Sequence, residues 1–580
     1  MRKTKIICTL GPATDHPGVL MEMILAGMNV ARFNFSHGSH EEHKKRLDML
    51  KELREELEVP VAALLDTKGP EIRLKQFEKG IETLQTGQTF TLTTRDVVGN
   101  GEICSVTYKE LPQDVALGTR IMLDDGLIAL TVTNLTDTDI TCRVDNGGVI
   151  KDKKGVNVPG ARLSMPYMSP RDREDILFGI EQGFDFIAAS FCRSERDVME
   201  IRRVLDEYDS NMRIIAKIEN QEGVDNIDAI LAVADGVMVA RGDMGVEIDF
   251  AEIPVIQKDI IAHAITSGKT VITATQMLDS MMVNPRPTRA EITDVANAVY
   301  DGTSALMLSG ETAAGKYPVE AVATMAAIAN RTEADINYYG RMLKMPVEGT
   351  LGISGATAHA ACTTATDVNA AAIISVSKSG ATARRISRYR PETPIIACVI
   401  DKEVQRQLAL SWGVTPILMG FAPNTDAMID GSVTAAKDAG LIEDGNIVVV
   451  TAGVPVGVSG TTNIVKVHLV GSCLITGVGI GAENARGRLC VCRTLEDIEA
   501  KFLPGMILVV SHSNNDMLPY IRQAAAVISE ESGLSSHAAV VGLALNKAVI
   551  IGAINATRTL KDGTYVSIDC THGTVQALEE

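Results

Sequence analysis

The chain has 580 residues, 46% of them apolar and 22% charged, and a formal net charge of −18. That length is several domains' worth, with apolar residues enough for a core in each. So acidic a chain, with 4% aromatics and one Trp, offers neither the basic surface nor the stacking rings that would bind nucleic acid or an anionic membrane. Its ten cysteines are scattered without zinc-ligand spacing, and the N-terminal run Ile6-Ile7-Cys8 is cut short by Gly11-Pro12. No uncharged apolar stretch reaches the length of a membrane span, so a cytoplasmic protein is expected.

From the N-terminus, β-branched runs bounded by turn residues alternate with helical patterns, which predicts βα units and a parallel sheet. Strands are expected at Lys5–Leu10, Asn29–Ser36, Val61–Thr67, Phe184–Phe191, Arg213–Glu219, Gly236–Asp243, Thr270–Gln276 and Ser304–Ser309, with helices such as Val19–Ala26 and Glu41–Leu57 between them. Eight such strands, most ending in polar residues, predict an α/β chain built on a (β/α)8 TIM barrel over 1–69 and 164–340, with its chemistry on the C-terminal rim. The stretch Arg213–Glu219 carries most of the argument. Positions i and i+2 of a strand share a face, so Lys217 and Glu219 project together. The neighbouring run ends in Arg241 and Asp243. The two ends set fixed positive charge beside a pair of hard oxygen ligands, which suits a divalent cation and an anionic substrate.

Residues 70–163 change character. Short alternating strands (Thr89–Thr93, Thr119–Leu123, Ile128–Asn134, Ile140–Val144) with Asp, Gly and Asn turns predict a small β-barrel domain inserted at the barrel mouth, placed to act as a lid. After Tyr339 the alternation restarts: a helix at Ala356–Asp367, then strands at Ala372–Val376, Ile395–Val399, Val414–Leu418, Asn446–Thr451 and Ile464–Val470 predict a doubly wound α/β domain over 341–471. The glycine-rich stretch 472–487 reads as a linker, and 488–580 as a further compact module.

Several long motifs in these elements resemble pyruvate kinase: Lys5-Ile6-Ile7-Cys8-Thr9-Leu10-Gly11-Pro12, Ala31-Arg32-Phe33-Asn34-Phe35-Ser36-His37-Gly38, Asp66-Thr67-Lys68-Gly69-Pro70-Glu71-Ile72-Arg73, Ala216-Lys217-Ile218-Glu219-Asn220, Ala240-Arg241-Gly242-Asp243 and Thr273-Ala274-Thr275-Gln276. The resemblance implies transfer of the phosphoryl group of phosphoenolpyruvate to ADP, giving pyruvate and ATP. It implies Glu219 and Asp243 as Mg2+ ligands, Lys217 as the catalytic lysine, and Arg32 and Arg73 as phosphate-binding arginines, the latter facing the nucleotide. Asn34, Ser36, Asp66 and Thr67 resemble a K+ site, with Glu71 the mark of K+-dependent members. Thr275 resembles the residue on the proton-delivery side of the enolate, Gly242 would bring backbone N–H groups to the substrate carboxylate, and Asn34, His37 and Lys154 match nucleotide-side positions. A homotetramer is likewise carried by the resemblance alone.

In the α/β domain, Ser377, Lys378, Ser379, Gly380 and Thr382 end a strand and open a helix, as a phosphate cradle does. They resemble the family's effector site. The loop Thr451–Pro455 lacks the Trp and Arg of fructose-bisphosphate sites, so AMP or a sugar phosphate such as ribose 5-phosphate is at least as apt an effector. The C-terminal motif Glu531-Ser532-Gly533-Leu534-Ser535-Ser536-His537-Ala538-Ala539 resembles the swivelling phosphohistidine domain of phosphoenolpyruvate-utilising enzymes, which makes a phosphate relay through His537 the alternative function. Such a relay needs a partner domain to charge the histidine, and none is recognisable in the sequence.

Overall fold

A computed structural model describes residues 1–345, 352–422, 424–454, 462–471, 473–481 and 484–578. By backbone contacts the chain forms two units, 1–352 with 377–418, and 353–376 with 419–580.

The first unit is built on a closed barrel of eight parallel strands, β1 (Lys5–Thr9), β2 (Val30–Asn34), β3 (Ala62–Asp66), β4 (Phe186–Ala189), β5 (Arg213–Ile218), β6 (Gly236–Ala240), β7 (Thr270–Ala274) and β8 (Ala305–Leu308), paired in that order with β8 closing on β1. Alternation sorts the side chains. In β5, Ile214, Ala216 and Ile218 pack outward against the helices, while Ile215 turns inward with Ile7, Leu64, Met238 and Ile272. Lys217 and Glu219 continue the inward row, where the barrel filling gives out and the rim begins.

The helices between strands start where capping boxes dictate: Ser39 with Glu42, Ser169 with Asp172, and Thr288 with Glu291. Strands end earlier than the sequence suggests. Arg241 to Glu247 is already helical, and Thr275 and Gln276 take φ of +68° and +54°. Of the rim residues Lys217 still lies in β5, while Glu219, Asp243 and Thr275 sit just beyond β5, β6 and β7, where the chain bends away from the sheet.

The inserted segment has its own core, which includes Phe90, Leu92, Leu130 and Ile140. Its seven-stranded sheet runs, in neighbour order, Ile72–Arg73, Gly155–Asn157, Arg120–Leu123, Ile128–Leu135, Asp139–Asn146, Thr89–Thr93 and Ile103–Ser105. A bridge between Leu74 and Val106, with Thr107 N–H donating to the Arg73 carbonyl at 2.9 Å, joins the two edge strands and makes this sheet a small barrel.

Residues 377–418 group with the TIM barrel. They supply the helix Ala381–Arg388 and two parallel strands, Ile395–Val399 and Val414–Leu418. At the barrel floor, Lys5 Nζ donates to the Val414 carbonyl and Arg406 Nε to Asp185 Oδ1, at 2.7 and 2.8 Å.

In the second unit, Ala372–Val376 pairs parallel with Ile447–Gly453, which pairs antiparallel with Thr462–Leu469. An eight-stranded sheet follows, and it corrects the linker reading of 472–487: Cys473–Thr476, Val478–Ile480 and Ala485–Val491 are three of its strands. The glycines there serve close approach rather than flexibility. A Cβ on Gly479 would lie 1.8 Å from the Cys570 carbonyl oxygen, and one on Gly477 2.4 Å from that of Ile551.

Candidate active site

Lys217 and Glu219 meet at the barrel rim with Nζ to Oε1 at 2.9 Å; the lysine is nearly buried and the glutamate wholly so. The ammonium also lies 3.2 Å from Asp66 Oδ1 and 2.8 Å from Ser190 Oγ. Burial works against its charge, but Asp66 and Glu219 outweigh that and hold Lys217 above the ordinary lysine range. Burial lifts the Glu219 carboxyl to about 7 against the pull of Lys217, with Asp243 adding to the rise. Asp243 belongs to the short helix after β6 and is half-buried.

Asp66 ties the rim together. Its Oδ2 accepts from Arg32 Nε at 2.6 Å, and Arg32 Nη1 reaches Thr9 Oγ1 at 2.9 Å. Burial opposes the Asp66 charge, yet Arg32 and Lys217 keep its carboxyl below the usual carboxylate value. Asn34 stands opposite Asp66 in the β2–β3 register, and its Oδ1 accepts from Ser36 N–H at 3.1 Å. The Thr67 hydroxyl accepts from Ser190 N–H, and the Thr67 carbonyl accepts from Ser190 Oγ at 2.7 Å. Asn34, Asp66 and Thr67 thus converge on the exits of β2 and β3, with Ser36 two residues beyond. Gly69, at φ +70°, must be glycine, since a Cβ would fall 2.9 Å from Ser190 Cβ.

Some expected residues are placed otherwise. Arg241 does not lend its charge to the rim, for it is spent on Asp294 (2.8 Å) and the carbonyls of Ala274 and Thr275. Gly242 N–H is taken up by Thr275 Oγ1 at 2.8 Å, which sets Thr275 against the turn holding Asp243 but leaves that amide engaged. Arg73, His37 and Ser36 line a cleft of about 640 Å³ between the inserted barrel and the rim. Lys154 is absent from that lining: its Nζ bonds Asp124 at 2.7 Å, and Lys68, Lys75 and Lys153 supply the cleft's lysines instead. Arg73 is oriented by Glu71 (2.8 Å) and the Lys153 carbonyl (2.8 Å). Sequence reasoning missed Ser190, Lys68 and Lys153. Ser190 was visible only as one of several polar strand ends, and a lysine pair in a turn does not declare which member faces the cleft.

The donor set fits a hard divalent cation. Glu219 Oε1 is a buried hard oxygen whose near neighbour is the Lys217 ammonium at 2.9 Å, and a dication would share it. Among the described residues no group of three or more His, Cys, Asp or Glu is assembled to hold a metal, so a cation at Glu219 and Asp243 would complete its shell with outside oxygens.

At the cradle, Gly380 opens the helix at φ +71°, with Arg384 Nη2 donating to the Ser379 carbonyl at 2.6 Å. Lys378 is exposed, Ser377 and Ser379 half-buried and Thr382 buried; Pro455 of the other expected loop lies outside the described residues. His537 opens the helix His537–Ala544, its Nδ1 2.9 Å from Ser513 Oγ and its Nε2 3.1 Å from Asn515 Oδ1. No helix among the described residues is long and apolar enough to cross a membrane.

Comparison with known proteins bears on the whole chain. Residues 1–322 match the family model of the pyruvate kinase barrel domain, 355–468 that of the pyruvate kinase α/β domain, and 502–573 that of the mobile domain of PEP-utilising enzymes. A pyruvate kinase from Geobacillus stearothermophilus is 51% identical over 578 residues, covering 99% of this chain and 98% of the relative. One from Bacillus licheniformis is 48% identical, with 99% of each chain covered. A solved pyruvate kinase from Cryptosporidium parvum superposes with a TM-score of 0.77 at 40% identity, over 81% of this chain and 96% of its own. The barrel model matches residues 1–322 and a relative is 51% identical over 99% of this sequence, so the chain belongs to the pyruvate kinase family.

Proposed function

We infer that the chain is a phosphotransferase that moves the phosphoryl group of phosphoenolpyruvate to ADP, giving pyruvate and ATP, the closing step of glycolysis. The observation that carries this reading is the Lys217 ammonium, held among Glu219, Asp66 and Ser190 at the barrel's C-terminal rim. A fixed ammonium there stabilises charge on the phosphoryl group in flight and on the enolate oxygen it leaves, and its burial strengthens that effect. Arg32, braced by Asp66, grips the phosphate, while Arg73 and His37 face the nucleotide from the cleft. Asn34 stands beside them. Lys153 and Lys68 take the place expected of Lys154. Thr275 stands on the side from which the enolate carbon receives its proton.

Glu219 and Asp243 would hold Mg2+, and Asn34, Ser36, Asp66 and Thr67 would hold K+, with Glu71 orienting Arg73. The dication would supply charge neutralisation between phosphate oxygens. The inserted barrel (70–163) acts as a lid over the rim. The cradle Ser377, Lys378, Ser379, Gly380 and Thr382 takes AMP or a sugar phosphate as activator, and the enzyme works in the cytoplasm as a homotetramer. A relay through His537 is the less favoured reading, since the likeness to pyruvate kinases extends over 99% of the chain, the His537 domain included.

An assay coupling pyruvate release to lactate dehydrogenase tests the reading. With phosphoenolpyruvate, ADP, Mg2+ and K+ together the purified chain turns over, and omission of ADP abolishes the signal; pyruvate release that proceeds without ADP sinks it.

A further inference from the structure

Ser190 follows β4 and is 2% exposed, and its hydroxyl sits where three groups converge. Lys217 Nζ is 2.8 Å from Ser190 Oγ, the Thr67 carbonyl 2.7 Å and Asp66 Oδ1 3.1 Å. An ammonium can only donate, so the hydroxyl accepts from Lys217 and has one proton left for two acceptors. The backbone fixes this position from both sides. Ser190 N–H donates to Thr67 Oγ1 at 3.2 Å, and the chain passes so close at Gly69 that a Cβ there would fall 2.9 Å from Ser190 Cβ.

We propose that Ser190 is a positioning residue that ties the Lys217 ammonium to Asp66 and Thr67, the oxygens read above as part of the monovalent-cation group. The inference rests on that reading. Of the oxygens around the ammonium, the other two belong to carboxylates, whose positions are set partly by Arg32 and by the Phe191 N–H. The hydroxyl is the one partner whose own orientation depends on Thr67. An ion drawn to the Thr67 carbonyl would compete for that oxygen and shift the Ser190 proton toward Asp66 Oδ1, re-aiming the lone pair that faces Lys217. Lys217 is thereby made sensitive to events at the exit of β3, with no residue of β3 touching the phosphate.

The test compares wild type with Ser190→Ala and Ser190→Cys in the full-length chain. The cysteine keeps the volume but makes only weak hydrogen bonds. Two readouts are taken with K+ exchanged for tetramethylammonium at constant ionic strength: steady-state kcat and KM, and the shift in melting temperature that K+ produces without substrates. Both variants are expected to keep the K+-dependent thermal shift, because Asn34, Ser36, Asp66 and Thr67 remain. Their kcat at saturating K+ falls roughly 10- to 100-fold while KM for phosphoenolpyruvate moves less than about threefold, as for a misplaced catalytic group. Activation by K+ shrinks in the same proportion. A wild type that responds to K+ alongside a Ser190→Ala enzyme within about twofold of its kcat overturns the link alone. A Ser190→Cys enzyme with wild-type kcat also overturns it, since volume would then suffice, and this variant decides the matter if the alanine variant does not fold. A wild type indifferent to K+ in both readouts overturns the cation reading and the link with it.

Discussion

Lys217 has its charge compensated by carboxylates before any substrate arrives, and this governs what its loss would do. Replacing it with Met removes the donor aimed at the migrating phosphoryl group. Turnover is expected to fall by at least about 10³-fold, at the upper end of what one preorganised donor contributes. KM for phosphoenolpyruvate should change little, because Arg32 remains. The same substitution leaves Glu219 without its buried cation and Asp66 with Arg32 alone, which destabilises the fold by about 3 kcal/mol. Urea unfolding measures that loss separately from kcat, and a Lys217→Met enzyme near wild-type turnover would refute the role. At this scale the sequence was legible where period decided the answer. The i, i+2 spacing of Lys217 and Glu219 needed only a strand. It was illegible where a turn decided: Lys153 takes φ +60°, and that local choice sends Lys154 to Asp124.

Among the elements, β1 begins on a buried lysine. Lys5 is held at the barrel floor with the Val414 carbonyl as its hydrogen-bond partner, and burial brings its pKa down from an ordinary value of 10.5 to about 7. Between those two values the unfolded chain carries a proton that the folded chain has shed, so stability rises with pH across the window and has lost that gain by neutrality. The urea midpoint, followed by Trp412, which is buried in the same unit, should climb from pH 7 to about 9.5 in the wild type. It should be flatter in Lys5→Met; equal slopes would show that Lys5 is charged when folded. The long, regular elements were readable, as Val19–Ala26, Ala372–Val376 and Ile395–Val399 appear at their expected bounds. Short strands such as Ile103–Ser105 and Gly148–Lys151 were missed, since three or four residues carry too few alternations to register. The stretch 472–487 was misread for a physical reason: glycine marks both slack chain and tightly apposed backbones, and only the neighbour at Cys570 distinguishes them.

Across the whole molecule, the residues assigned to phosphoryl transfer all lie in the first unit, and His537 lies in the second. His537→Ala is therefore expected to leave pyruvate formation within about twofold of wild type; loss of the reaction would restore the relay. The rim imposes a different constraint, readable by counting charges. Arg32 and Lys217 face Asp66, Asp243 and a Glu219 only partly charged near neutrality, so both positive groups are already compensated, inside a chain whose net charge is −18. A bare trianionic metabolite meets no electrostatic welcome there. Stripping divalent ions with a chelator should thus weaken phosphoenolpyruvate binding by calorimetry, beyond its effect on rate, and chloride or sulfate should compete feebly. On this count the rim would select by counter-ion, favouring an anion that arrives escorted by its own dication.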